Sequence, residues 1–172
     1  MEPFRRVHPY EPGPSVTGVT AAPATTQRFP FWKLSPEIHR TLLALTTAAK
    51  RQLDPALVDL VLIRASAVNH CAFCIDMHVT DARKAGETEE RIHLLNAWEE
   101  ATGHYTEKEQ AALALTEAIT VLTDGFVPDA VYERAAAHFD ESELAHLIAL
   151  ITTINAWNRI NVTVRVPPGG TS

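Results

Sequence analysis

The chain has 172 residues, 46% of them apolar, and a formal charge of −6. That is enough apolar material for one domain with a sizeable core, and an acidic balance without a basic run excludes an electrostatic nucleic-acid binder. Charges interrupt every apolar run short of a membrane span, and Met1-Glu2-Pro3-Phe4-Arg5-Arg6 leads into no signal-peptide core, so no membrane partner and a cytoplasmic location are expected.

Residues 1–33 read as an extended, proline-rich arm holding Pro3, Pro9, Pro12, Pro14, Pro23 and Pro30. Phe29, Phe31 and Trp32 at its end need cover, for which a neighbouring subunit is one candidate. The domain proper is expected over 34–168, with a tail at 169–172. Ser35 and Pro36 open a helix whose stripe is Ile38, Leu42, Leu45 and Ala49. Asp54-Pro55 opens the next, Ala56 to about Asn69, which is apolar nearly all round except at Asp59, Arg64 and Ser66. Such a helix belongs at the centre of a bundle or at an oligomer interface. A third follows almost at once, with Asn69 as its expected cap and Gly86 as its stop.

Thr88 begins a helix through Ile92, Leu95, Trp98 and Ala101. Thr106 with Glu109 forms a capping-box signature before Ala111, Leu115, Ala118, Ile119 and Leu122. Pro128 starts a short helix through Val131, Ala135 and His138. Asp140 with Glu143 repeats the capping signal for the last helix, with Leu144, Leu147, Ile148, Ile151 and Ile154 turned inward. Residues 162–166 are expected to fray from it or run extended. The sum is an all-α domain of about seven helices joined by short loops.

The chemistry concentrates in His70-Cys71-Ala72-Phe73-Cys74-Ile75-Asp76-Met77-His78, which holds the chain's two cysteines. Helical spacing points Cys71, Cys74 and His78 the same way, and a helix start favours thiolate over thiol. Buried inert cysteine is the plainest reading. A zinc site could use Cys71, Cys74 and His78 with His70 or Asp59, although no second cysteine pair is present. A c-type haem requires histidine directly after the second cysteine, where Ile75 stands. The spacing favours a dithiol/disulfide redox centre.

The run Leu60–His78, together with Ala82-Arg83-Lys84-Ala85-Gly86-Glu87-Thr88 and Asn155-Ala156-Trp157-Asn158-Arg159, resembles the AhpD-like alkylhydroperoxidases of the carboxymuconolactone decarboxylase superfamily. The resemblance covers roughly residues 35–168. It implies an AhpD-like helical bundle and a thiol-dependent peroxidase acting on hydrogen or organic hydroperoxides. Cys74, activated by His78, would attack the peroxide, Cys71 would close the disulfide, and an external dithiol would restore the pair. No metal or organic cofactor is expected, and a homo-oligomer (dimer, trimer or hexamer) is. Alternatives are a lactone decarboxylase of the same superfamily and a zinc-binding or redox-sensing module without turnover.

The family pattern places a glutamate twelve residues before the first cysteine, and here Asp59 stands there. With straight antiparallel helices Asp59 lies roughly 18 Å below Cys71 and His78 about 10 Å below it. Orienting His78 from Asp59 then needs a water bridge or a bent connection, and a helix-start aspartate favourable to the dipole is the competing reading. His8, His39, His93, His104, His138 and His146 have no partner spacing that builds a site. Trp98, Trp157, Asn155, Asn158 and Arg159 read as core packing and helix-to-helix hydrogen bonds.

Overall fold

The computed structural model describes residues 26–169. The proline-rich part of the arm, residues 1–25, and the tail beyond Gly169 lie outside the described residues. Among the described residues eight α-helices follow one another: α1 (Phe31–Leu34), α2 (Pro36–Lys50), α3 (Pro55–Val68), α4 (Ala72–Ala85), α5 (Glu89–Leu94), α6 (Glu107–Thr120), α7 (Asp129–Ala136) and α8 (Glu141–Val164). No strand occurs among the described residues, and no helix is long and apolar enough to cross a membrane.

The centre is α3. Asp54 caps it by accepting from the backbone N–H groups of Ala56 and Leu57, and Pro55 occupies the first turn, where a missing N–H is harmless. With an almost uninterrupted apolar surface it is buried on several faces, packing against α4, α6 and α8. One apolar cluster joins Val61, Leu62, Leu115, Leu147, Leu150 and Ile151. A second, on the other side of α3, joins Leu60, Ile63, Leu95, Trp98, Tyr105 and Leu113. Truncating one of these leucines to alanine is expected to destabilise the fold by about 2–5 kcal/mol.

The reciprocal caps expected at Thr106/Glu109 and Asp140/Glu143 are both formed. Gly86 ends α4 in the left-handed conformation, φ 98°, which a Cβ would oppose.

Four local expectations are corrected. The helix begun at Thr88 stops at Leu94 and passes into a 3-10 turn, Leu95–Ala97. Side-chain bonds hold that turn against other helices: Asn96 accepts from Arg64 of α3, and the Trp98 indole donates to Glu117 of α6. Residues 162–164 neither fray nor extend; α8 runs to Val164 and closes at Arg165 with φ 57°. The α2 stripe is largely outward, with Ile38 and Leu45 exposed and Ala49 buried. Finally, Asn69 does not cap α4. It closes α3, His70 turns left-handed at φ 55°, and Cys71 becomes the N-cap of α4. Backbone bonds from Cys71 N to Ser66 O and from His70 N to Ala67 O complete that tight reversal.

The end of the arm folds onto its own chain. Arg28 N–H donates to Val164 O at 2.9 Å, and the Arg28 guanidinium donates to Thr163 O at 3.0 Å. Trp32 is thereby laid against α8, with its ring 4.6 Å from that of Trp157.

Candidate active site

The turn at His70 sets the dithiol at the start of α4, with Cys71 as cap and Cys74 in the first turn. Both are free and buried, with their sulfurs in contact at 2.6 Å. The contact treats them unequally. The Cys71 thiol donates to Cys74, and this above all brings Cys74 down to about 7 against the opposing effect of burial. Amide donors Asn161 and Asn158 add to the lowering. Cys71 is pushed well above the ordinary thiol range, first by the same hydrogen bond, which retains its proton, and then by burial. The first proton to leave the pair is therefore that of Cys74, giving a thiolate on Cys74 beside a thiol on Cys71 as pH rises through about 7.

Cys74 faces a cavity of about 490 Å³ whose lining does not include Cys71. Trp32, His39 and Trp157 make its aromatic wall, with ring pairs 4.6–5.4 Å apart. Leu43, Leu62, Phe73 and Met77 add apolar surface, and Lys50, Asp59, His78 and Asp81 supply the titratable groups. His39, which the sequence places with no site, therefore belongs to this wall because α2 packs along α8.

His78 lies one helical turn beyond Cys74 on α4, is 8% exposed, and has no hydrogen-bond partner for its buried Nε2 among the described residues. Burial pushes it down to about 4, the Lys50 charge adds to this, and Asp81 opposes it. The ring is neutral at physiological pH, the form in which an imidazole nitrogen can accept a hydrogen bond. Asp59 lines the same cavity without bonding to His78. Burial raises its carboxyl, Lys50 counters that, and Asp81 and Glu87 reinforce it. Asp81, three residues past His78 on the same helix, is a carboxylate that sequence reasoning missed. No three His, Cys, Asp or Glu side chains are grouped to hold a metal ion among the described residues, so the zinc set Cys71, Cys74 and His78 does not assemble.

On its side of the sulfurs α8 presents Asn155, Asn158 and Asn161, all buried, of which Asn161 also lines the cavity. Asn69 donates to Asn155 at 2.9 Å and to Asn158 at 3.0 Å. Asn158 donates to Ser66 Oγ at 3.1 Å, and Asn155 donates to Thr120 Oγ1 at 3.0 Å. Asn161 donates to Cys74 Sγ at 3.4 Å. Asn158 and Asn161 thus serve the site as well as the packing, and the sequence reading had overlooked Asn161. The available signal was periodic: three asparagines three residues apart fall on one face of an otherwise apolar helix, where each needs a partner.

Residues 36–118 match the carboxymuconolactone decarboxylase family. The uncharacterised protein YdfG of Bacillus subtilis is 41% identical over 140 residues, spanning 81% of this chain and 95% of YdfG. A crystal structure from Agrobacterium tumefaciens, of a protein of unknown function provisionally assigned to AhpD antioxidant defence, superposes with a TM-score of 0.80. That pair is 35% identical over 85% of this chain and all of the other. The debrominase Bmp8 shares the fold, with a TM-score of 0.70 at 17% identity over 80% of this chain and 74% of its own.

Proposed function

Since the chain belongs to the carboxymuconolactone decarboxylase superfamily as an AhpD-like member, we propose that it is a thiol-dependent peroxidase reducing hydrogen or organic hydroperoxides through Cys71 and Cys74. The observation that carries this reading is the asymmetry of the dithiol: Cys74 alone borders the cavity, in the company of a neutral histidine with an unused ring nitrogen.

The Cys74 thiolate attacks one peroxide oxygen, the O–O bond breaks, and the sulfur becomes a sulfenic acid. The departing alkoxide or hydroxide takes a proton and leaves as alcohol or water. His78 supplies the route where Cys74 is still a thiol, accepting that proton as attack begins and passing it to the leaving oxygen. The Cys71 thiol then displaces water from the sulfenic acid, closing the disulfide. An external dithiol returns two electrons and two protons by thiol–disulfide exchange. Asp81 favours the His78 proton and Lys50 disfavours it, both through charge. The apolar, aromatic cavity supports an organic group on the substrate.

The test is turnover of hydrogen peroxide and cumene hydroperoxide with a small dithiol as reductant. Consumption of one peroxide per two thiols supports the reading, and intact thiols after excess peroxide would refute it. Self-association belongs to the same proposal, supported by the outward Leu34, Ile38 and Leu45 on the α1–α2 face. Light scattering is expected to give a multiple of 18.9 kDa, and a monomer mass across micromolar concentrations would contradict it.

A further inference from the structure

Asn161 touches the sulfur of Cys74 but has no part in the proton route above, and its orientation is set from far away in the sequence. An indole N–H can only donate, so the atom that meets Trp32 Nε1 at 2.9 Å is the amide oxygen of Asn161. The amide nitrogen must then point the other way, to Cys74 Sγ at 3.4 Å. There it is a donor facing an acceptor. A flipped amide would oppose N–H to N–H at the indole and would turn its oxygen toward the sulfur, repelling an anion. Trp32 resolves the two-fold ambiguity of the amide in favour of the donor.

Trp32 is itself held in place. Its ring packs 4.9 Å from Phe31, 5.3 Å from His39 and 4.6 Å from Trp157. The two Arg28 bonds to the last turn of α8 tether the segment that carries it. Asn161 is 3% exposed, so its amide is largely shielded from bulk water where it lines the cavity.

We propose that Asn161 is a hydrogen-bond donor that stabilises the anionic sulfur of Cys74, and that Trp32 is a positioning residue that locks the amide in its donating orientation. The docked end of the arm is thereby part of the thiol's electrostatic environment. Among the influences lowering Cys74, the Asn161 amide ranks ahead of Asn158, in keeping with this assignment. A purely structural Trp32–Asn161 pair would support packing without affecting ionisation. Only the catalytic consequence rests on the peroxidase reading, because a thiolate is stabilised whatever it attacks.

The experiment is the pH dependence of Cys74 alkylation by iodoacetamide, located by fragment mass spectrometry, in the full chain and in Trp32→Phe, Asn161→Leu and the double variant. Asn161→Leu should raise the midpoint by about one pH unit, a tenfold loss of thiolate well below the midpoint. Trp32→Phe, which keeps an aromatic ring and loses the N–H, should raise it by a smaller amount. In the double variant Trp32→Phe should add nothing, since the amide it orients is gone. An unmoved midpoint in Trp32→Phe, or single shifts that sum in the double variant, would overturn the positioning role. An unmoved midpoint in Asn161→Leu would overturn the whole proposal. Should circular dichroism show Asn161→Leu unfolded, Trp32→Phe decides alone. Alkylation needs no peroxide, so a failure of the peroxidase reading leaves this test standing.

Discussion

On the α8 side of the dithiol, Asn155 and Asn158 have partners at both ends of their amides, drawn from Asn69, Ser66, Thr120 and Arg159. On the cavity side, His78 has a buried ring nitrogen with none among the described residues. Both regions bury polar groups next to the same pair of sulfurs, yet one network is closed and the other open. A closed network fixes geometry, since each member must break a bond to move. An open buried nitrogen is held at a standing free-energy cost, and it is available to a reacting proton. The difference teaches where to look for chemistry: beside the group whose hydrogen bonding is incomplete.

The strongest challenge to that division is to remove the atom both regions share. Cys74→Ser should abolish reaction with peroxide, measured as peroxide consumed per chain. Residual consumption at the wild-type rate would move the chemistry elsewhere.

The open side is next. His78→Ala should slow the first step by about 10²–10⁴, as expected for a lost general base. In the wild type that step should accelerate as pH rises through about 7, because the Cys74 thiolate is the reacting form. Stability should move in the same direction in a lower window. His78 resists its proton down to about 4 in the folded chain but takes it near the ordinary 6.5 when unfolded. The unfolded state therefore binds more protons between those values, and stability falls as pH drops through them. His78→Ala should flatten that slope in denaturant titrations.

The closed side should respond in stability instead of rate. Asn155→Ala removes one of the two acceptors of Asn69 and the donor to Thr120, and is expected to lower stability by about 1–3 kcal/mol, with the rate of thiol oxidation little changed. A large rate loss at unchanged stability would erase the distinction between the two regions. The smallest effect is expected at Asp59. Asp59→Asn should change the peroxide rate by about threefold at most, since Asp59 lines the cavity without bonding to His78.

Elements whose cues are local were legible in the sequence. Asp54-Pro55, Thr106/Glu109, Asp140/Glu143 and Gly86 each act within one turn of a helix end, and each bounds a helix as expected. The break after Leu94 was not legible, because Trp98 and Asn96 are drawn out of helical register by Glu117 and Arg64 on other helices. The shift of the α4 cap from Asn69 to Cys71 was hidden for another reason. The left-handed residue at that turn is His70, where a glycine would have announced it. Within the site, Cys71, Cys74 and His78 are readable from spacing along one helix. The aromatic wall is not, since Trp32 and Asn161 meet across 129 residues. Exposure of the α2 stripe also escapes periodicity, which finds an apolar face but not what covers it.

The central claim is that Cys74, facing the open side, is the sulfur that meets peroxide, with Cys71 behind it. The direct measurement uses Cys71→Ser, which cannot close the disulfide, treated with one equivalent of cumene hydroperoxide and then a dimedone-type trap. The account predicts one sulfenic-acid adduct per chain, located on Cys74 by fragment mass spectrometry, and none in Cys74→Ser. An inert Cys71→Ser variant, together with a trapped adduct on Cys71 in Cys74→Ser, would reverse the two roles and contradict it.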